Sequence, residues 1–170
     1  MAVKWVHFPL HPETPAEGRS LKELFAGRNY DIEARQREMR SRMAAEGLPY
    51  GNRTMTYNSR LAQELGKWAD TQPGGEKIHD ALFKAYFVDG KNIGDTEELI
   101  RIADSVGLNR DKAREVLEKR SFKDAVDQDW AKSRAYGITG VPSGIRITSV
   151  SSCESRITVP VQPCVFFGSQ

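Results

Sequence analysis

The sequence predicts an α/β fold in which a small sheet is interrupted by a large block of helices. Residues 3–10 (VKWVHFPL) are rich in β-branched and aromatic side chains and precede the turn-rich HPETPAEG, a combination typical of a strand. Helical periodicity then predicts about six successive helices. The Ile, Val and Thr content of residues 138–150 predicts a strand that returns to the sheet. Because one strand at each end cannot form a stable sheet alone, the expected sheet is incomplete.

The helical block is marked by regular apolar spacing and by residues that begin or end helices. An amphipathic helix is predicted over residues 31–46, with a stop at Gly47. Its stripe comprises Ile32, Gln36, Met39 and Met43. The later stripes are Leu61, Leu65 and Trp68; Ile78, Leu82 and Tyr86; Leu99, Ile102 and Val106; Ala113, Val116 and Leu117; and Phe122, Ala125, Val126 and Trp130. Helix caps are predicted at Asn58, Asp95, Asn109 and Ser121, and further glycine stops at Gly107 and Gly137.

Length and composition are those of a globular protein of ordinary size. The 170 residues carry 25 basic and 23 acidic side chains, with 39% hydrophobic residues and a mean hydropathy of −0.55. This composition can form a core, and it lacks the basic excess of a nucleic-acid-binding protein. No apolar run approaches the roughly 18 residues that span a bilayer, and the first ten residues lack a signal-peptide cleavage site. We therefore expect a soluble cytoplasmic protein that binds neither nucleic acid nor membranes.

The tripeptide Gly140-Val141-Pro142 is the most informative local feature. A proline that opens a strand cannot donate to the ladder, so it belongs at an edge or in a specialised turn. A cis bond before Pro142 would turn the backbone N–H and C=O of Val141 outward, where they could pair with an extended peptide. The residues alone favour an ordinary trans turn, because only about 5–6% of X–Pro bonds are cis.

Several segments resemble the DsbA-type thioredoxin-fold family, and the FrnE-like branch is the most similar. They are FPLHPETPAEG, YNSRLAQELGKWA, HDALFKAYFVDGKNIGD, ELIRIADSVGL and GITGVP, and they cover roughly residues 3–142 in the family's order. This branch is related to 2-hydroxychromene-2-carboxylate isomerases and kappa-class glutathione transferases. The resemblance implies a thioredoxin-like sheet interrupted by an all-helical insertion. It also implies that Pro142 is the cis-proline beside the redox site and that Val141 is the residue that pairs with substrate.

The sequence departs from the family pattern at both ends. Met1 lies where the family's second strand begins, and the Cys-x-x-Cys motif at a helix N-terminus has no counterpart. After Pro142 the family's closing hairpin and helix are not recognisable, which is the pattern expected of N-terminal truncation joined to a frameshift. The expected divisions are a thioredoxin-like strand and turn at 1–18, the helical insertion plus a returning helix at 19–137, the cis-proline strand at 138–150 and an atypical tail at 151–170.

The cysteines and histidines favour incidental or structural roles. Cys153 and Cys164 are too few for a disulfide framework and lie on a segment with no predicted helix to activate a thiol. They also lack the partners of a zinc site, so neither a metal nor a cofactor is expected. His7, on the first predicted strand, His11, in the following turn, and His79, near a helix start, have no Ser or Cys partner at recognisable spacing.

Two other polar features have simple structural interpretations. The helix predicted over residues 31–46 carries four arginines interleaved with two glutamates, which indicates a solvated face. These residues are Arg35, Arg37, Arg40, Arg42, Glu33 and Glu38. Asn58 could contact a ligand at a domain junction, but a helix cap accounts for it fully.

Three functions remain open at this point. The resemblance implies a thiol–disulfide oxidoreductase that acts on a protein or small-molecule thiol or disulfide. The missing nucleophile favours a non-catalytic remnant or binding module, since thiol exchange requires an attacking thiolate. The third function is that of a glutathione-dependent isomerase or transferase, but the position of the nucleophile in those enzymes is absent from this sequence too. An incomplete sheet also exposes an edge, so homodimerisation or aggregation is expected.

Overall fold

The structure is a computed structural model that describes residues 5–141. Seven helices and two short strands lie within that range. They are β1 (Arg19–Ser20), α1 (Leu21–Leu24), α2 (Ile32–Ala45), β2 (Met55–Thr56), α3 (Arg60–Ala69), α4 (Lys77–Phe87), α5 (Thr96–Ser105), α6 (Arg110–Lys119) and α7 (Lys123–Ala135). The fold is therefore α/β and dominated by helices, as predicted. Across residues 5–141, every helix is too short or too polar to cross a bilayer.

The described chain divides into two compact units. The first contains residues 5–10 and 128–141, and the second, the helical unit, contains residues 11–127. The predicted divisions, with the helical insertion plus a returning helix at 19–137, stay a prediction. Within the helical unit, β1 and β2 pair antiparallel, with Arg19 opposite Thr56 and Ser20 opposite Met55.

The core of the helical unit is built by helices α3 to α6. Leu65 of α3, Ile78 of α4 and Leu99 of α5 are fully buried, and Leu117 of α6 packs in the same cluster. Each such side chain contributes about 1.5–3 kcal/mol on burial. All four lie on the predicted apolar stripes, so the helical spacing identified the buried face of each of these helices.

The predicted glycine stops are confirmed. Gly47, Gly107 and Gly137 have φ angles of 69°, 83° and 64°, in the left-handed region that favours glycine. At Gly107 the amide donates to the Asp104 carbonyl (2.9 Å), and the next amide, of Leu108, donates to the Ala103 carbonyl (3.0 Å). This is the Schellman arrangement, which satisfies carbonyls that the end of a helix leaves without partners.

Two predicted caps are confirmed and two are corrected. The Asp95 side chain accepts a hydrogen bond from the Glu98 amide (2.7 Å), and Asn109 caps α6 in the same way. The N-cap of α3 is Ser59 and not Asn58, because the Asn58 side chain closes a turn one residue earlier. The last helix begins at Lys123, so Ser121 lies in the preceding turn and does not cap it directly.

The predicted first strand is wrong over its described residues. Residues 5–10 form irregular chain, although their composition favours a strand. They are held to α7 instead: the His7 amide donates to an Asp129 carboxylate oxygen (3.0 Å), and the Ser133 hydroxyl donates to the His7 carbonyl (3.2 Å). Residues 138–141, the described part of the second predicted strand, are also irregular. A strand needs a neighbour, and composition does not specify one.

Helix α2 differs from its prediction in burial and not in position. It begins after the Asp31 cap and ends at Ala45, yet none of its residues is buried. The predicted stripe is half-buried, and one of its members, Gln36, donates from its side-chain amide to the Arg53 carbonyl. The interleaved charges are solvated as predicted: Glu38 pairs with Arg42 (2.6 Å) and with Arg35 (3.2 Å).

Candidate functional site

The predicted substrate-pairing residue lies at the end of the described chain. Val141 is 37% exposed and follows the irregular segment that leaves α7 after Gly137. Pro142, Cys153 and Cys164 lie outside the described residues, so the expected cis bond and both thiols stay predictions.

Asn58 fixes the loop that precedes β1 and shows no sign of a free ligand-binding amide. Its side-chain nitrogen donates to the Pro12 carbonyl (3.1 Å) and the Thr14 carbonyl (2.8 Å). Its side-chain oxygen accepts from the Arg60 amide (2.9 Å). Both ends of the amide are therefore engaged in backbone contacts, which agrees with a structural role.

Two histidines of the helical unit lie close to carboxylate groups. His79 Nε2 lies 2.7 Å from an Asp70 carboxylate oxygen, and His11 Nδ1 lies 3.5 Å from a Glu13 carboxylate oxygen. The first contact joins α4 to the end of α3, and the second lies within one turn. Among the described residues, no group of three or more His, Cys, Asp or Glu side chains is placed to hold a metal ion.

A buried carboxylate in α3 forms the most extensive ionic cluster of the helical unit. Glu64 is fully buried, and its Oε1 accepts from Arg60 Nε (2.7 Å) and from a terminal nitrogen of Arg120 (2.6 Å). Its Oε2 accepts from Arg120 Nε (2.7 Å). Arg60 also reaches Asp127 (2.8 Å) and the Lys123 carbonyl (2.8 Å), so the cluster ties α3 to the start of α7.

The chemistry of this cluster is structural. Burial raises the pKa of the Glu64 carboxyl, but the hydrogen bonds and charges of Arg120 and Arg60 outweigh burial and hold the pKa below its ordinary value. The hydrogen bond from Arg120 to Glu64 in turn raises the pKa of the Arg120 guanidinium. An ionised carboxylate with both oxygens occupied by guanidinium groups is not available as a general base.

Arg120, the second arginine of the cluster, ends α6 in an unusual backbone conformation. It is the C-cap of α6 and adopts a left-handed conformation with φ of 52°. A non-glycine residue in this region is uncommon and carries a conformational cost. The amides of Arg120 and Ser121 donate to the carbonyls of Leu117 (3.3 Å) and Val116 (3.1 Å), so this conformation closes the end of α6 in a Schellman arrangement.

A pocket beside a buried arginine was also missed by the sequence analysis. It has a volume of about 110 Å3 in the helical unit. Its lining includes Asn52, Arg53, Met55, Tyr57, Tyr86 and Gly90. Arg53 is only 8% exposed; one of its terminal nitrogens donates to the Tyr86 hydroxyl (2.7 Å), which lies 3.1 Å from Thr56 Oγ1.

Aromatic rings surround the Arg53 guanidinium. Its central carbon lies 4.3 Å from the centroid of the Tyr86 ring and 5.1 Å from that of the Phe87 ring, both cation–π distances. Tyr57 packs edge-on against Tyr86 with centroids 6.5 Å apart. The pocket is therefore lined by a hydrogen-bonded cation and by the aromatic side chains of Tyr57 and Tyr86.

Comparisons with known proteins place the chain in one family. A family model described as a DSBA-like thioredoxin domain matches residues 1–146. The uncharacterized protein YwbO of Bacillus subtilis (strain 168) is 27% identical over 146 residues, which are 84% of this chain and 70% of YwbO.

A solved structure gives the same assignment. The crystal structure of the probable DsbA oxidoreductase SCO1869 from Streptomyces coelicolor matches with a TM-score of 0.71 and 26% identity. The match covers 78% of this chain and 60% of that chain, so this chain spans less than two thirds of that protein. The predicted DsbA-type thioredoxin fold is confirmed, and the chain belongs to the DSBA-like thioredoxin domain family.

Proposed function

We propose that this chain is a member of the thiol–disulfide oxidoreductase family, of the FrnE-like branch, that does not catalyse thiol exchange as a 170-residue polypeptide. Its role is that of a binding module for a protein or small-molecule thiol or disulfide. The family match over residues 1–146 supports the first part. The absence of a Cys-x-x-Cys motif from the sequence carries the second part.

The mechanism of thiol–disulfide exchange explains why catalysis requires the Cys-x-x-Cys motif. Thiol–disulfide exchange begins when a thiolate attacks a disulfide sulfur and forms a mixed disulfide, and a second thiol then releases the product. A cysteine at a helix N-terminus is the usual attacking group, because the helix dipole lowers the pKa of its thiol. None of the helices from α1 to α7 contains a cysteine, since the two cysteines are at positions 153 and 164.

Substrate contact is assigned to the Gly140-Val141-Pro142 segment. In the family, the residue before the cis-proline pairs with an extended substrate through its backbone. The exposure of Val141, 37%, is compatible with such pairing. The proposed contribution of this chain is therefore recognition.

Reduction of insulin disulfides by dithiothreitol tests the proposal. With the 170-residue chain added, we expect the rate of insulin precipitation to equal the protein-free rate. The matched control is the double variant Cys153→Ser with Cys164→Ser, which is expected to behave identically. Acceleration by the chain that disappears in the double variant would show that a relocated thiol is catalytic, and it would overturn the proposal.

A further inference from the structure

Arg53 is the one buried arginine among residues 5–141, and it has no carboxylate partner there. Its Nε has no hydrogen-bond partner in the described chain. Two other arginines of the helical unit do have a carboxylate partner, because both Arg60 and Arg120 pair with Glu64. A buried charge without a counter-ion is costly, so a site that retains one favours an anion from outside the chain.

The surroundings of Arg53 fix it in place for such an anion. The Tyr86 hydroxyl accepts a hydrogen bond from one terminal nitrogen, and the centroids of the Tyr86 and Phe87 rings lie 4.3 and 5.1 Å from the guanidinium carbon. Its backbone carbonyl accepts a hydrogen bond from the Gln36 side chain. A guanidinium held in this way keeps its donors in a fixed fork, which matches the two oxygens of a carboxylate.

A second guanidinium contacts a residue of the pocket lining, and the lining contains no acidic residue. Asn52 lines the pocket, and its side-chain oxygen accepts from a terminal nitrogen of Arg40 (3.2 Å). None of the residues that line it is Asp or Glu. The local field therefore attracts anions.

The size of the pocket limits the ligand. Its volume of about 110 Å3 lies below the roughly 150 Å3 of a cavity that takes up benzene. It is also well below the roughly 300–1,000 Å3 of pockets for drug-sized ligands. A carboxylate with one or two attached carbons fits this space, and a nucleotide or tripeptide does not fit inside it as a whole.

We propose that the pocket lined by Arg53, Tyr57 and Tyr86 binds a carboxylate group, supplied by a small carboxylic acid or by the C-terminus of a peptide. The Arg53 guanidinium is the recognition group. This site is in the helical unit, and binding there does not depend on the function proposed above.

Titration of the full 170-residue chain with acetate, followed by 1H–15N NMR, tests the site. We expect saturable shifts at the backbone amides of Asn52, Arg53 and Gly90 and at an arginine Nε–H signal. Acetamide, a neutral molecule of similar shape, should leave these signals unchanged. Equal shifts with acetamide, or tighter binding of inorganic phosphate at the same residues, would overturn the assignment to carboxylates.

Substitutions in the pocket test whether acetate binding requires the Arg53 guanidinium in a chain that remains folded. Arg53→Met should abolish acetate binding. Arg53→Lys should weaken it at least about tenfold, or about 1.4 kcal/mol, because an ammonium group cannot make the two parallel hydrogen bonds that a guanidinium makes with a carboxylate. Tyr86→Phe keeps Arg53 and should weaken binding severalfold. Arg110→Gln is the matched control, since the Arg110 side chain is 53% exposed on α6. Unchanged affinity in a folded Arg53→Lys or Tyr86→Phe variant would refute the proposal.

Two further ligands distinguish the source of the carboxylate. N-acetyl-dialanine that binds more tightly than acetate, with no binding of its C-terminal amide, supports a peptide C-terminus. Equal affinities of N-acetyl-dialanine and acetate support a small carboxylic acid. Binding of the amide at the same residues contradicts both.

Discussion

The Glu64→Gln substitution tests how the ionic cluster stabilises the helical unit. Glutamine preserves the size of the side chain but removes its charge and replaces one oxygen by an NH2 group. Three guanidinium donors from Arg60 and Arg120 meet the two Glu64 oxygens, so at least one donor would face the new NH2 group. The Arg60 side chain is only 15% exposed and cannot turn fully to solvent.

The expected loss is about 2–3 kcal/mol in the free energy of unfolding at pH 7. Removing one partner of a buried ion pair costs about 3–5 kcal/mol. The loss expected here lies at or below the lower end of that range, because the Arg120 side chain is 42% exposed and water solvates part of the charge that loses its partner.

The difference between the two proteins should also depend on pH. Because the folded chain holds the pKa of Glu64 below its ordinary value, its stabilising contribution is complete above the unfolded pKa, about 4.3. That contribution is lost as the pH falls through the folded pKa. The gap in stability should therefore be constant from pH 6 to 7 and should narrow below about pH 4.3.

Urea unfolding followed by far-ultraviolet circular dichroism gives the required free energies. Glu115→Gln is the control: hydrogen bonds from Lys119 and Lys112 lower the pKa of Glu115 to about 2, but the group lies on the exposed face of α6. Its urea midpoint at pH 7 should match that of the unsubstituted chain, because exposed ion pairs contribute little. A loss below about 0.5 kcal/mol for Glu64→Gln at pH 7, or a gap unchanged down to pH 3, would refute the reasoning.

Two local substitutions extend the test to other parts of the helical unit. Gly18→Ala should destabilise by about 1–3 kcal/mol in urea unfolding, because φ is +88° and the new Cβ would lie 2.5 Å from the Tyr57 ring. Gly27→Ala, at φ +78° with no atom within 4 Å of its Cβ, should cost less, and equal losses would contradict the role of the clash. Asp95→Ala should cost about 1 kcal/mol through loss of the α5 cap to Glu98, and an unchanged midpoint would contradict that role.

Features that depend on neighbouring residues were predictable from the sequence. Asp95 and Asn109 cap helices and Gly107 ends one because these contacts close within three to five residues. The apolar stripe of α3 predicted its buried face, with Leu65 and Trp68 in the core. The family resemblance rested on longer segments and was confirmed by the match over residues 1–146.

Features that depend on distant residues were missed. The composition of residues 5–10 favours a strand, but pairing requires a neighbour that composition does not reveal. Helical spacing in α2 defined a face, yet none of its residues is buried. Arg53 lies in a loop without periodicity, and its burial depends on Tyr86, which is 33 residues away.

The position of Glu64 in the sequence does indicate that this carboxylate is buried. It lies three residues after Leu61 and next to Leu65, and therefore on the apolar face of α3. A charged residue on such a face indicates a buried ion pair. Its partner Arg60 lies four residues earlier on α3, but its second partner, Arg120, depends on how α3 and α6 pack, which the spacing within α3 does not specify.

The pH dependence of cysteine alkylation tests most directly whether this chain contains an activated thiol. Iodoacetamide labelling of the native 170-residue chain, quantified separately at Cys153 and Cys164 by mass spectrometry, gives the reaction rate of each thiol at each pH. The proposed absence of a catalytic thiolate predicts that both rates rise with a midpoint near that of an ordinary cysteine, about 8.5. A midpoint below about 7.5 at either position, lost on unfolding in urea, would contradict it and identify that cysteine as an activated nucleophile.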